Sequence, residues 1–170
     1  LIKINERFRI NFKECSDEEL INAWCSVKDY MVKGEEKGLQ SLTFFEILFF
    51  MGMLIFSEKA VDYCILETGL GGRLDATVLS NPVLSVITSI SYDHTEILGD
   101  TIEKIAGEKA GIIKKGVPVV AIDEENGAFS VIERTAKEKN APVYGLKSQE
   151  LTILKKCENT IDFSINSRYY

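Results

Sequence analysis

Apolar and polar residues follow two different periods along this chain. Unbroken apolar runs predict buried strands, and apolar residues that recur every three or four positions predict helices. The predicted strands lie at 61–67, 83–90, 117–122 and 142–144, the predicted helices at 16–32, 43–57, 100–113 and 125–140, and a predicted hairpin joins 151–154 to 161–165. Strands that alternate with helices indicate βαβ units, so the expected fold class is α/β, with a parallel sheet and helices on both faces.

Two of the predicted helices begin with a capping box, in which a hydroxyl residue is followed three positions later by Glu. Ser16 pairs with Glu19 in the first helix, and Thr43 pairs with Glu46 in the second. The second helix is apolar on nearly every side, so we expect it to lie buried against a sheet. Asp100 is predicted to begin a third helix.

The stretch CILETGLGGRLDAT, residues 64–77, joins a predicted buried strand to a glycine-rich loop. The apolar run stops at Glu67, and three glycines, Gly69, Gly71 and Gly72, follow it closely. Glycine permits positive φ and close approach of the backbone to a ligand. A carboxylate at the end of a parallel strand lies at the edge where such sheets bind ligands. A Glu that only caps a tight turn is the alternative interpretation.

The next predicted strand ends in SYDHTE, which contains His94, the only histidine of the chain. Because parallel strands end at the same edge of a sheet, we expect Glu67 and His94 to converge there. A carboxylate and a neutral imidazole suit a divalent cation, and so sparse a site favours Mg²⁺ over zinc. Lys109, within GEKAG, lies in an otherwise apolar predicted helix. Its side chain either extends to solvent or faces the same edge of the sheet, where its positive charge would balance carboxylates or phosphates.

Composition narrows the function classes. The chain has 170 residues, which suggests about one domain, and its net charge of −6 argues against a general binder of nucleic acid or of anionic membranes. Its four cysteines are widely spaced, so we expect reduced thiols in a cytoplasmic protein, with Cys64 in a buried strand. The chain begins at Leu1 rather than Met, so we expect natural sequence upstream of it.

Common motifs for nucleotide binding and for nucleophilic catalysis fit this sequence poorly. The segment GLGGRL has the first two glycines of the dinucleotide fingerprint GxGxxG, but Leu74 stands at the third position and no predicted helix follows directly. The phosphate-loop pattern GxxxxGK[ST] does not occur in the 170 residues, and neither a Ser-His-Asp set nor a nucleophile elbow stands out.

Three segments together closely resemble the folylpolyglutamate synthase/dihydrofolate synthase family of the Mur ligase superfamily. They are LIKINERFRI at 1–10, ETGLGGRLDAT at 67–77 and SISYDHTEILGDTIEKIAGEKAGIIKKGVP at 89–118. The resemblance covers most of residues 1–144. It implies that residues 1–170 are a partial central ATPase domain with a P-loop-type parallel sheet, from which the phosphate-loop segment and the C-terminal glutamate-ligase domain are absent.

The resemblance also implies roles for single residues. Glu67 would bind one Mg²⁺ and His94 a second, and Lys109 would carry a carbamate that adds an oxygen ligand, so these three residues are the expected catalytic and metal-binding set. Gly69, Gly71, Gly72 and Arg73 are the expected cofactor-binding residues. The chain departs from the family at Val78, where the family usually has Asn, and this puts some local hydrogen bonding of the loop in question.

The function that the resemblance implies is ATP-dependent addition of L-glutamate to dihydropteroate, to a folate, or to both, through an acyl phosphate. The expected cofactors are ATP and two Mg²⁺ ions, with no nucleic-acid or membrane partner, and the complete protein is expected to be a monomer. Two alternatives stay open: another Mur-type amide ligase with a different acid acceptor, and a non-catalytic truncated fragment. Without the phosphate loop, the chain alone is expected to be inactive.

Overall fold

The computed structural model describes residues 2–158 and 160–166. Leu1, which belongs to the predicted opening segment, lies outside the described residues, as do Asn159 in the predicted hairpin and residues 167–170. The chain divides into two compact units, Leu1–Glu67 and Thr68–Tyr170. No helix in the described part of the chain is long and apolar enough to cross a membrane.

The first unit is a pair of helices that follows a short ribbon. A 3-10 helix at Ile4–Arg7 precedes strands β1 (Arg9–Ile10) and β2 (Lys13–Glu14), and the helices are α1 (Asp17–Glu35) and α2 (Phe44–Glu58). The strands pair antiparallel, with Arg9 opposite Glu14. The described part of the opening segment, residues 2–10, therefore contains a 3-10 helix and a two-residue strand.

Both predicted capping boxes are confirmed. The Ser16 hydroxyl accepts the Glu19 N–H at 3.2 Å, and the Glu19 carboxylate accepts the Ser16 N–H at 2.7 Å. The same exchange joins Thr43 and Glu46 at the start of α2. These bonds satisfy backbone donors that the first turn of a helix leaves without a partner, so the sequence sets both helix starts locally.

Helix α2 packs on α1 within this unit, where the sequence predicted packing against a sheet. Its buried residues are Leu48, Met51, Gly52 and Ile55, whereas Phe44 and Phe45 at its start are each 57% exposed. The apolar surface of α2 therefore exceeds what α1 covers.

The predicted strand at 61–67 is wrong. The backbone there forms no strand, Tyr63 and Ile65 are 86% and 96% exposed, and Cys64, predicted to be buried, is exposed as well. A strand needs a neighbour for its hydrogen bonds. Among the described residues, 61–67 has no such neighbour, so a sequence with strong strand preference stays irregular.

The second unit contains the predicted βαβ units. Its elements are β3 (Ser85–Ile87), α3 (Thr95–Leu98), α4 (Ile102–Ala110), β4 (Val119–Ile122), α5 (Ala128–Glu138), β5 (Val143–Leu146), β6 (Leu151–Lys156) and β7 (Ile161–Ile165), with 3-10 helices at Ala76–Leu79 and Ser148–Glu150. Strands β3, β4 and β5 form a parallel sheet in that order, and β6 and β7 form the predicted antiparallel hairpin. The α/β fold class is confirmed.

The core of this unit lies between the sheet and the helices α4 and α5. Ile105, Ile113, Val119 and Ile132 are almost fully buried. Val86, which points away from this core in β3, is 55% exposed. Helices α4 and α5 pack on the other face of the strand, where Ile87 is buried.

The cap of helix α4 lies one residue later than predicted. Thr101, not Asp100, is its cap, and the Thr101 hydroxyl accepts the Lys104 N–H at 3.3 Å. Asp100 instead accepts a hydrogen bond from Lys104 Nζ at 2.7 Å. Both residues can cap a helix, and here the carboxylate forms an ion pair with a lysine one turn away.

Candidate active site at the glycine loop and helix α4

Asp75 organises the glycine loop from within. Its Oδ2 accepts the N–H groups of Gly69 at 2.8 Å and Leu70 at 3.4 Å, and its Oδ1 accepts the Thr77 N–H at 2.9 Å and the Thr77 hydroxyl at 2.7 Å. Partial burial raises the pKa of the Asp75 carboxyl, but the bonds from Thr77, Gly69 and Leu70 outweigh burial and hold that pKa below its ordinary value.

Sequence reasoning missed Asp75 as a site residue. The signal was present, because an Asp followed two residues later by Thr is typical of a turn in which the carboxylate accepts local backbone bonds. Asp75 therefore holds the loop in its shape through hydrogen bonds within the chain.

The loop lies directly on the end of α4. A β-carbon at Gly72 would come within 2.8 Å of the Lys109 carbonyl oxygen and 2.9 Å of the Glu108 carbonyl oxygen. From the other side, a β-carbon at Gly111 would come within 2.3 Å of the Arg73 α-carbon. Any side chain at either glycine would separate the two backbones. The glycines of LGGR and of KAG therefore meet at one contact.

Arg73 and Glu108 hold this contact together. The Arg73 N–H donates to the Glu108 carbonyl oxygen at 2.9 Å. The guanidinium donates to the Glu108 carboxylate through Nε, at 3.1 and 3.2 Å to its two oxygens, and Nη2 lies 3.0 Å from Oε1. Arg73 thus forms an ion pair with a carboxylate of its own unit. The roles of Arg73, and of the glycines Gly69, Gly71 and Gly72, in binding a cofactor stay predictions.

Two further hydrogen bonds lie later in the loop. Lys114 Nζ donates to the carbonyl oxygen of Val78, and the Ser80 hydroxyl donates to the Thr77 carbonyl oxygen at 2.6 Å. Val78 occupies the position where the sequence departs from the expected Asn. Because the contact from Lys114 uses the main chain, it does not depend on which side chain stands there.

His94 has an unusual backbone conformation. It precedes α3 with φ of 49° and ψ of 39°, in the left-handed region, which is uncommon for residues other than glycine. Asp93 Oδ1 accepts its N–H at 2.8 Å, and Asp93 Oδ2 lies 3.7 Å from His94 Nε2. The imidazole is 56% exposed. The role of His94 as a metal ligand stays a prediction.

Lys109 and Glu67 are placed differently by the structure. Lys109 lies half-buried in the last turn of α4, where a cation interacts favourably with the helix dipole. Glu67 is exposed and is the last residue of the first unit. Its expected convergence with His94 relied on a strand at 61–67, and since that strand is wrong, the convergence is supported by the family resemblance alone.

The roles of Glu67 and His94 as Mg²⁺ ligands stay predictions. Among the described residues, no group of three or more His, Cys, Asp or Glu side chains is arranged to hold a metal ion. Mg²⁺ keeps several waters and substrate oxygens and needs only one or two protein ligands. Glu67 and His94 are both exposed, so each can supply one such ligand.

The chain is similar to known proteins over most of its length. The family described as the Mur ligase middle domain matches residues 18–167. The dihydrofolate synthase/folylpolyglutamate synthase of Bacillus subtilis is 44% identical over 147 residues, which are 86% of this chain and 34% of that protein. The folylpolyglutamate synthase of Arabidopsis thaliana is 43% identical over 141 residues, 81% of this chain and 24% of that protein.

Among solved structures, the chain superposes on the FPGS-AMPPCP-folate complex with a TM-score of 0.86 and 28% identity. That match covers 97% of this chain and 41% of the other. The chain thus spans about a third of the length of the B. subtilis relative. This chain belongs to the Mur ligase family, as a middle domain whose relatives are folylpolyglutamate and dihydrofolate synthases.

Proposed function

We propose that this chain is the central part of an ATP-dependent ligase that adds L-glutamate to dihydropteroate, to a folate, or to both. The B. subtilis match supports it most, because a 147-residue match in a chain of 170 necessarily includes the glycine loop and α4. The relative that superposes with AMPPCP and folate bound supports an adenine nucleotide and a folate as ligands. The proposed reaction passes through an acyl phosphate on the substrate carboxylate, which the glutamate amine then attacks.

The chain's own residues take separate parts in this proposal. Glu67 and His94 would each hold one of two Mg²⁺ ions, and a carbamate on Lys109 would add an oxygen ligand. Bound metal ions of this kind neutralise phosphate charge during phosphoryl transfer. The loop that Asp75 shapes would bring its glycines beside the phosphates, where close approach of the main chain is needed. The wide spacing of the four cysteines supports the cytoplasm as its compartment.

The test is ADP release by a full-length ligase that carries this chain, measured with and without L-glutamate and with dihydropteroate or a folate as acceptor. Release that depends on both substrates is expected. Glu67→Gln and His94→Ala should remove it while the melting temperature stays nearly unchanged, because both side chains are exposed. Release with a different acid acceptor would identify another amide ligase, and no release with any acceptor would identify a non-catalytic protein. Either result would overturn the proposal.

A further inference from the structure

We propose that Glu108 is a positioning residue, which acts through Arg73 to fix the glycine loop against the last turn of α4 and thereby sets the place of Lys109. Its catalytic consequence rests on the ligase function proposed above. Its structural part, that the loop and the end of α4 move as one body, does not depend on that function.

Glu108 binds Arg73 through both its main chain and its side chain. Its main-chain oxygen accepts the Arg73 N–H at 2.9 Å, and its carboxylate accepts the guanidinium at 3.0 to 3.2 Å. A forked bond to a carboxylate constrains orientation as well as distance. Because the two bonds have different directions, together they restrict both translation and rotation of the loop relative to the helix.

Lys109 follows Glu108 directly in the helix, so the two residues share one rigid backbone segment. The Lys109 carbonyl oxygen also touches the loop, since a β-carbon at Gly72 would lie 2.8 Å from it. A shift of Glu108 relative to Arg73 would therefore change the distance between Lys109 and the glycine loop. Glu108 controls that distance because its carboxylate and its main-chain oxygen both accept bonds that cross from the loop to α4.

Stability alone does not account for this pair. The Arg73 side chain is 57% exposed and the Glu108 side chain 27%, and ion pairs so close to water contribute little to folding. The same helix offers a matched control in the pair of Lys104 and Asp100. That pair is exposed and lies at 2.7 Å, but Lys104 is in the first turn of α4 and Asp100 lies just before that helix, so neither residue belongs to the glycine loop.

Direct binding of nucleotide by Arg73 makes the opposite prediction. If Arg73 were a ligand, loss of Glu108 would free its charge, and the KM for ATP would fall. If Glu108 positions the loop, its loss lowers kcat and leaves that KM nearly constant. Reversal of both charges, R73E with E108R, would restore a positioning pair but would destroy a cationic ligand.

The experiment uses a full-length ligase that carries this chain, with the variants R73E, E108R, the double reversal, and K104Q as control. Each single reversal should lower kcat about tenfold to a hundredfold, the range expected when catalytic groups are displaced by about 1 Å. The KM for ATP should stay within about twofold, the double reversal should recover most of kcat, and K104Q should match the parent. If a reversal does not fold, Arg73→Lys and Glu108→Gln replace it, with a smaller loss expected from each.

Amide hydrogen exchange of the same proteins without nucleotide provides the readout that does not need activity. Each single reversal should speed exchange in 69–79 and 105–113 together, and the double reversal should slow both again. A parent protein without ligase activity would overturn the proposed function but not this coupling. Faster exchange in only one segment, no recovery in the double reversal, or a change confined to the KM for ATP would overturn the role of Glu108.

Discussion

Gly72 lies so close to Lys109 that a β-carbon on the glycine would come within 2.8 Å of the lysine carbonyl oxygen. The two residues are far apart in the sequence and belong to two different motifs, LGGR and EKAG. The contact explains why each motif contains a glycine at its meeting point. The loop and the helix can form one site because neither backbone has a side chain between them.

Gly72→Ala should destabilise the protein by about 1 to 3 kcal/mol, the usual cost of forcing extra atoms into a packed contact. The φ angle of Gly72 is not in the left-handed region, so the cost is steric. Gly111→Ala should be at least as costly, because its β-carbon would lie 2.3 Å from the Arg73 α-carbon. Urea denaturation of the variants and the parent measures both changes.

The control for these variants is Gly107→Ala. Gly107 lies inside α4 and is exposed, and a β-carbon there would meet nothing within 4 Å. Because alanine favours a helix over glycine, this variant should be more stable than the parent by about 0.5 to 1 kcal/mol. Gains at Gly72 or Gly111 equal to that at Gly107 would refute the close contact between loop and helix.

Asp75→Asn should weaken the loop in a way that depends on pH. An amide replaces one acceptor oxygen by a donor, which leaves N–H groups of Gly69 and Leu70 or of Thr77 without a partner, at a cost of about 1 to 3 kcal/mol. The folded-state pKa of Asp75 is depressed, so its contribution is fully present above the unfolded-state pKa of about 4 and is lost as pH falls through the folded value.

The measurement is the free energy of unfolding of the parent and of Asp75→Asn from neutral pH to the acid limit. The difference between them should be constant at neutral pH and should shrink below about pH 4. A difference that stays constant down to the acid limit would mean that the charge of Asp75 does not stabilise the loop.

The elements that the sequence predicted well are set by interactions between residues that lie close together in the sequence. Ser16 and Glu19, or Thr43 and Glu46, are three residues apart, so their capping boxes could be identified without knowledge of the fold. The strand predicted at 61–67 failed because a strand requires a partner that local pattern does not supply.

The docking of the glycine loop on α4 could not be predicted for a similar reason. Arg73 and Glu108 are 35 positions apart, and nothing in either motif indicates that the two meet. The glycines indicated only that some backbone or ligand comes close. Residue types could therefore suggest Glu67, His94 and Lys109 as candidates, but the connection between loop and helix required the structure.

His94→Gly should separate stability from function. Glycine adopts positive φ without the steric cost that His94 bears, so the variant should unfold with a free energy higher by about 1 kcal/mol. In a full-length ligase that carries this chain, the same change should abolish turnover, because the imidazole is the proposed metal ligand. Thermal or urea unfolding and the ADP-release assay measure the two effects.

Asn140→Gly is the control for the backbone effect. Asn140 also has positive φ, at 50°, but lies at the end of α5, outside the candidate site. Asparagine tolerates this conformation better than most residues, so the gain in stability should be smaller and activity should not change. Full activity of His94→Gly would remove His94 from the proposed metal site and leave only its backbone role.

Carbamylation of Lys109 can be tested without turnover. The lysine ammonium first loses a proton, and the neutral amine then adds to carbon dioxide and releases a second proton, which leaves a carbamate anion with two oxygen ligands. In ¹³C-labelled bicarbonate, the protein should show the NMR signal of a carbamate carbon, and Lys109→Ala should lack that signal. The control is Lys115→Ala, which removes an exposed lysine near the end of α4 and should keep the signal. In a full-length ligase that carries this chain, short carboxylic acids should restore part of the activity that Lys109→Ala loses, because they supply the missing oxygens. A protein with neither the signal nor the rescue would have a Lys109 that acts as an ordinary half-buried cation.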